Sequence, residues 1–510
     1  MTTDFHRTGL SASQRGHLRH MANLARQPPN DWFFMKGRGF GQDDFGGYRF
    51  QLAYMAYALA LTHVHRLPAA PGLFKPLFEQ LIQKMLLPEV WMYWHNASRG
   101  GTIFNRHLTA TYQEEWDPVK RDNIMYSAYV QSMALMYTYL FRDDRYAKEG
   151  ALTFKFWSYF WGGEAKQFAY DQNSLNEHIY WLMVESGFLG VACEPNCIFQ
   201  ICNQPAILGF RMHDLITGGS RATEVTQSYE AAWREFGHVG DNGHYHVMLS
   251  QDSKVVRRNL AETPWVDAWC GALMNMWNRK FVHDRYPEQI NALIIDGPED
   301  TLSVRTPVRP DVMGEKVISD DCDFGWVAVW ASEMGDARTL EGLLAHADRF
   351  MHPMWHLGGL YYPRNDQIQD NFGNRVLMEP HTGNVLLGYA RLNIPDGLWS
   401  LYNEPLSDEF FATPALTEIG ADVDIHRAFY EGTTLRFTAE LLPVPEARSS
   451  IEMGRVKGRA WTLRCDGREA AHGKGPRIEN NSALGLRCQD ECLVLSCPAD
   501  GVHDFTLTVA

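Results

Sequence analysis

The chain has 510 residues, of which 45% are hydrophobic and 21% charged, with 16 Trp and a net charge of −14. An acidic chain without a Lys/Arg-rich run argues against a nucleic-acid groove or an anionic membrane surface as partner. Neither a signal-peptide core nor an apolar run long enough to span a bilayer stands out, so a cytoplasmic protein with reduced thiols is expected.

Residues 1–47 read as a polar, Gly-rich arm around KGRGFGQDDFGGYRF, expected to contribute to the site. From Tyr48 a helical pattern runs through QLAYMAYALALTHVHR, with aromatics spaced as in a helix buried on most sides. Further helices are predicted near residues 80, 130, 153, 180, 210, 230, 270, 290, 328, 343 and 387, about twelve in all. Consecutive helices joined by short turns predict hairpins, and six hairpins in a ring make an (α/α)6 barrel over residues 48–400. A solenoid is the alternative, but no self-similar period supports it. Past residue 400 the texture changes to short alternating runs such as LRFTAELLP, AWTLRCDG and HDFTLTVA, which predict a small β-rich, sandwich-like domain over 401–510. The expected class is thus mainly α with a C-terminal β-rich addition. Cys465, Cys488, Cys492 and Cys497 fall in that addition and read as strand residues rather than a metal site.

The densest chemistry lies in GVACEPNCIFQICNQ, where Cys193, Cys197 and Cys202 fall within ten residues. Glu194-Pro195-Asn196 predicts a turn. Asn203 is a candidate cap for a helix through PAILGFRMHDLI. Thiols just before a helix N-terminus are expected to have a lowered pKa, suited to acid–base or nucleophilic work. A zinc site, a disulfide and plain buried cysteines are the competing readings.

The CEP run, with its second cysteine nine residues on and then Asn, resembles the linalool dehydratase/isomerase family. EEWDPVKRDNIMYSAYVQSMALMYTYLF resembles that family's segment of Asp-Pro followed by Asn-Ile-Met-Tyr on an inner helix. ASEMGDARTLEGLLAH resembles a late helical pair. The resemblance runs over roughly residues 40–395. It implies an (α/α)6 barrel and cofactor-free dehydration or isomerisation of an allylic alcohol. It also implies a small apolar alcohol as substrate, no metal, and a homo-oligomer, a pentamer on the family pattern. By that resemblance Cys193 and Cys202 are the active-site cysteines, Phe199 is a wall residue and Met125 the methionine of the inner helix. Tyr129 stands where the family has a histidine; its ordinary pKa is near 10 rather than 6.5. Asp43 or Asp44 is the expected N-terminal aspartate, with Asp31 behind them.

Tyr48, Tyr245, Trp265 and Trp269 are candidate walls, because aromatic faces stabilise an allylic cation without trapping it as water would. Glu379, His381 and Asn384 in MEPHTGN are read as either a helix cap or polar pocket contacts. His244 and His246 alternate, which suits a metal pair or, more simply, solvated loop imidazoles. Trp265, Asp267 and Trp269 also suit a helix start, and Asp321 and Asp323 suit first-turn acids. The rival reading is a carbohydrate-active enzyme that pairs Asp43 or Asp44 with Asp241 or Glu379. A catalytically dead scaffold with its thiols in apolar core is the third.

Overall fold

The structure, a computed structural model, describes residues 5–510 except 40–41, 43, 101–106, 108–111, 161–162, 261, 311–316, 320–321, 442–448, 457, 483, 490–491 and 498–500. Twelve helices position the site: α1 (Ala12–Arg26), α2 (Tyr48–His65), α3 (Pro71–Met85), α4 (Ile124–Phe141), α5 (Gln172–Glu185), α6 (Gln200–Thr217), α7 (Arg221–Trp233), α8 (Pro264–Met274), α9 (Arg279–Leu293), α10 (Asp323–Met334), α11 (Ala337–Phe350) and α12 (Leu387–Leu392). A π-helical turn, Thr382–Leu386, leads into α12.

The even-numbered helices form a closed succession. Each of α2, α4, α6, α8, α10 and α12 packs on the next, and α12 packs back on α2. The odd-numbered helices lie outside: α1 on α12, α3 on α2 and α4, α5 on α4 and α6, α7 on α6, α9 on α8 and α11 on α10. Side-chain pattern explains the division. On α4 every residue from Ile124 to Leu140 is buried, and on α2 every residue from Tyr48 to His63. On α11 burial is confined to Thr339, Leu343, His346 and Ala347, one stripe at helical spacing. Several polar groups of the inner helices pair across the fold: Tyr57 Oη lies 2.7 Å from Ser132 Oγ, and the Gln131 amide donates to Asn176 at 2.8 Å.

Two expectations need correcting. The segment near 153 is no helix but a strand, Leu152–Phe156, paired antiparallel with Lys166–Tyr170. Its Leu152 and Phe154 are buried and Lys155 is exposed, a period of two. The 1–47 arm contains α1, opened by a capping box between Ser11 and Gln14. Helix α1 also ties the two parts of the chain together, since Arg19 hydrogen-bonds Asp424 and the Val423 carbonyl.

The C-terminal region is β-rich as expected. One antiparallel sheet runs Ala415–Ile419, Ser449–Gly454, Cys492–Cys497, Gly485–Gln489. A six-stranded sheet contains Val423–Glu431, Thr434–Leu441, Gly501–Val509, Ala460–Cys465, Arg468–Lys474 and Arg477–Asn480. The first sheet is stitched to the helical part by Leu416 N–H on the Ala69 carbonyl (2.8 Å), and the second by Leu10 N–H on the His426 carbonyl (2.7 Å). Among the described residues no helix is long and apolar enough to cross a membrane.

Candidate active site

The cysteine segment is held by its own backbone. Cys197 N–H donates to the Glu194 carbonyl at 2.9 Å, closing the Glu-Pro-Asn turn, with Asn196 at φ 67°. Asn123 N–H donates to the Cys193 carbonyl at 2.9 Å, which fixes the segment to the start of α4. Asn203 does not cap a helix as the sequence suggested, because α6 already begins at Gln200. Its side chain instead clamps the segment to α6: its oxygen accepts from Val191 N–H at 2.9 Å, and its amide donates to the Val191 and Phe199 carbonyls at 3.1 and 2.9 Å. A Cβ on Gly190, at φ 113°, would lie 2.7 Å from that amide.

Cys202 therefore stands in the first turn of α6, and the clamp brings Cys193 to it. Both are buried, outside any disulfide, and within hydrogen-bonding reach of each other. Their pKa values are not lowered. The hydrogen bond to Cys202, then burial, pushes the Cys193 thiol well up, and burial pushes up Cys202. Desolvation of a thiolate outweighs the helix N-terminus here. One cation opposes it: Arg49, buried on α2, whose charge favours ionisation of both thiols. Its guanidinium lies 4.0 Å from the Tyr93 ring and 4.2 Å from Phe50. Tyr93 donates to Asn123 at 2.5 Å, and Glu194, its pKa raised by burial, faces the same thiols. Arg49 and Tyr93 escaped the sequence reading. The available signal was a lone arginine in a mostly apolar helix.

Phe50 joins this corner to an aromatic cluster inside the ring. Its ring lies 6.3 Å from Tyr129, 5.7 Å from Trp269 and 6.0 Å from His381, the last nearly parallel. Tyr54 completes the centre, accepting from Tyr129 Oη at 3.2 Å and from the Trp269 indole at 2.6 Å. Burial raises Tyr129 well above the usual phenol range, so it serves as a neutral donor; Cys202 is among the groups acting on it. Trp326 stacks on Trp269 at 4.5 Å. Among the described residues neither nitrogen of the fully buried His381 has a partner, and burial holds its pKa down to about 3.

The remaining candidates divide. Trp265 lies at the edge of the cluster, 4.9 Å from Phe45 and 6.3 Å from Trp269; its backbone N–H donates to Asp323 at 2.7 Å, while its indole N–H has no partner among the described residues. Met125 is one turn before Tyr129 on α4 and buried. Phe199, half-buried, is the residue before α6. Glu379 is a buried cap whose carboxylate accepts from His381 N–H at 2.6 Å and from Thr382 N–H. Burial holds its pKa up to about 8, and the Asp44 charge adds to this. Asp44 itself accepts from Arg38 and Gly39 N–H at 2.8 and 2.6 Å. Asp43, like Asp321, lies outside the described residues. Asp31 accepts from Phe33 N–H in a local turn.

Two wall candidates pack elsewhere: Tyr48 stacks on Trp32 at 4.2 Å, and Tyr245 meets Met274 Sδ at 3.8 Å beside Phe281 of α9. His244 and His246 are buried rather than solvated, and they have separate partners. His244 bonds Asp267 at 2.5 Å and His246 the Phe236 carbonyl at 3.3 Å. Asp241 is 86% exposed and paired with Arg258, which removes it from any interior carboxylate pair. Among the described residues one metal-like group of three occurs, Cys465, Asp466 and His503. Within it His503 Nδ1 bonds Asp466 at 2.9 Å and the Cys465 thiol donates to Asp466 at 3.6 Å.

A sequence model described as linalool dehydratase/isomerase matches residues 49–368. Among solved structures, the chain is similar to an α-1,6-mannanase of a Salegentibacter species, with TM-score 0.41 and 12% identity over 77% of this chain and 99% of that one. It is also similar to the Lin0763 protein of Listeria innocua, with TM-score 0.42 and 11% identity over 75% and 96%. A third is the endoglucanase CelQ of Clostridium thermocellum, with TM-score 0.34 and 10% identity over 98% and 93%.

Proposed function

The chain belongs to the linalool dehydratase/isomerase family, and from that premise we propose that it is a cofactor-independent dehydratase/isomerase acting on an allylic, terpenoid-like alcohol. The observation that carries this reading is the thiol pair. Two buried, protonated thiols lie side by side, one charge-bearing Arg49 beside them, at the edge of an aromatic cluster that contains Tyr129.

A hydroxide is a poor leaving group and has to depart as water. In this reading Cys202 gives its proton to the hydroxyl as the C–O bond breaks. The thiolate left behind is held by the Cys193 S–H and by the Arg49 charge. The allylic cation develops against Phe50, Tyr129 and Trp269, whose ring faces stabilise it in the absence of bulk water. Dehydration ends when a proton from the neighbouring carbon returns through the thiol pair. Isomerisation ends when the water adds at the far allylic carbon and returns its own proton. Either way the thiols finish as they began, and no cofactor is consumed. Asp44 and Tyr129 orient the hydroxyl.

The cyclic order of helix packing supports reading the fold as an (α/α)6 barrel with a β-rich addition. Assembly as a homo-oligomer belongs to the same proposal. It is supported by Trp157, Tyr159 and Phe160, at 64%, 78% and 81% exposure on the hairpin after α4. The carbohydrate-active reading keeps one carboxylate pair, Glu379 with the nearby Asp44. Asp241 is at the surface, and Glu379 spends its carboxylate on backbone N–H groups.

The test is anaerobic incubation with a panel of tertiary and primary allylic alcohols, with products read by gas chromatography. The wild type should release an alkene or a rearranged alcohol. Cys193→Ala and Cys202→Ala should each lose at least about a hundredfold in rate, the scale of a positioned acid–base group. Unchanged activity in both folded variants would return the thiols to the core.

A further inference from the structure

Among the described residues, His381 leaves both of its ring nitrogens unused, where its neighbours Tyr129 and Trp269 in the aromatic cluster are engaged. Tyr129 gives its O–H to Tyr54, and Trp269 gives its N–H to the same oxygen. By contrast, both ring nitrogens of His381 are enclosed, and among the described residues neither has a partner. The indole N–H of Trp326 is in the same condition, and its ring meets that of His381 at 5.9 Å and 74°. Around them stand Phe50, Tyr54 and Trp269, at 6.0, 5.5 and 6.2 Å from the imidazole. Buried groups with unmade hydrogen bonds are costly, and in native proteins they call for a functional account.

We propose that His381 and Trp326 together form a recognition site for a single hydroxyl on an otherwise apolar ligand. This deepens the function proposed above and rests on it. A neutral imidazole offers one acceptor and one donor, and an indole offers one donor. An alcohol fits that set: its O–H donates to the His381 acceptor nitrogen, and its oxygen accepts from Trp326 Nε1. A hydrocarbon satisfies neither group. A sugar would bring several further hydroxyls, and the polar groups of Tyr54, Tyr129 and Trp269 beside the site are already engaged with one another. The ligand class is therefore a monohydric, terpenoid-sized alcohol. The arrangement also bears on residue 129. With its O–H already donated to Tyr54, Tyr129 can orient the substrate only as an acceptor, and His381 is the buried imidazole available to hold the hydroxyl beside it. As a positioning residue, it acts by fixing that oxygen for the thiols.

The rings of the cluster are in contact, so a ligand has to part them. The stacked indoles of Trp269 and Trp326 should report this in their fluorescence. The probes are tetrahydrolinalool, a saturated tertiary alcohol that cannot ionise to an allylic cation, and its parent hydrocarbon. The wild type should bind the alcohol at least about tenfold more tightly than the hydrocarbon, the equivalent of one good buried hydrogen bond. His381→Phe, which keeps a ring but removes both nitrogens, should erase that preference. His381→Gln, which keeps an acceptor and a donor, should restore part of it and separates recognition from a packing defect. Retention of the full preference in folded His381→Phe would overturn this inference while leaving the proposed reaction standing. A wild type that binds neither probe and turns over no allylic alcohol would overturn both.

Discussion

Asn203 is the residue on which the thiol pair depends. Its three hydrogen bonds hold Val191 and Phe199, and so set where Cys193 meets Cys202. Asn203→Ala should leave two buried backbone groups of Val191 unpaired, costing about 2–4 kcal/mol, and should abolish turnover before it abolishes folding. Urea denaturation beside a rate assay reads both. Tyr129→Phe tests the phenol of the inner helix α4. It keeps the ring against Phe50 and loses only the bond to Tyr54, so stability should fall by about 1 kcal/mol or less. If the phenol orients the substrate, kcat should fall at least about tenfold; an unchanged kcat would make Tyr129 a wall residue. At this scale the cysteines were legible, because three thiols around a Glu-Pro-Asn turn are conspicuous in any sequence. Their ionisation was not legible. A helix N-terminus near a thiol can be read locally, whereas the burial that outweighs it is set by elements distant in sequence.

Among the elements, the late EMGD motif turns out to be architectural. Glu333 is buried and accepts from Asn275 and Asn393 at 3.1 and 2.9 Å and from Leu398 N–H at 3.1 Å. Gly335, at φ 71°, ends α10, and Asp336 caps α11 through Thr339 N–H at 3.0 Å. The motif is a helix–turn–helix corner, which explains why it marks kinship without marking the site. Inner and outer helices are distinguishable from pattern, since α2 and α4 carry large apolar residues on all faces. Helix α1 was missed although SASQ carries a capping-box signature, because its polar faces hid a buried stripe. The segment at 152 misleads because LTFKF is too short for its alternation to decide between the two periods. Close packing of the ring makes a further prediction. A Cβ on Gly209 of α6 would lie 2.4 Å from the Gln131 side chain of α4, which is tied to Asn176. Gly→Ala in a helix ordinarily gains about 1 kcal/mol. Here overpacking, at about 1–3 kcal/mol, should reverse the sign, and calorimetry should show a lower Tm. A higher Tm would mean that α4 and α6 are less tightly joined than described.

For the whole molecule, the site is a product of ring closure. Arg49, Tyr93, Asn123, Cys193 and Cys202 come from four separated segments, and His381 arrives from the far end of the ring. No local window holds them together, so the sequence pointed to the thiols and walls but not to the cation between them. Closure also buries imidazoles. His20, His63, His65 and His238 are each held down to about 4 by burial. Such groups stay neutral in the folded chain, while the unfolded chain takes up protons below about pH 6.5. Their stabilising contribution is complete above that pH and is lost as pH falls toward 4. His63 stacks between Phe74 and Phe141, away from the thiols, and allows a clean test. The stability of His63→Phe relative to wild type should rise by about 1.4 kcal/mol per pH unit below 6.5, measured by urea denaturation at two pH values. A pH-independent difference would contradict the burial. The central claim, that the two thiols work as one acid–base unit, is tested most directly by turnover of the best allylic alcohol in Cys193→Ala, Cys202→Ala and the double variant. If the thiols share the proton, each single variant should lose nearly as much rate as the double. Independent, additive losses, or a single variant with wild-type turnover, would contradict it.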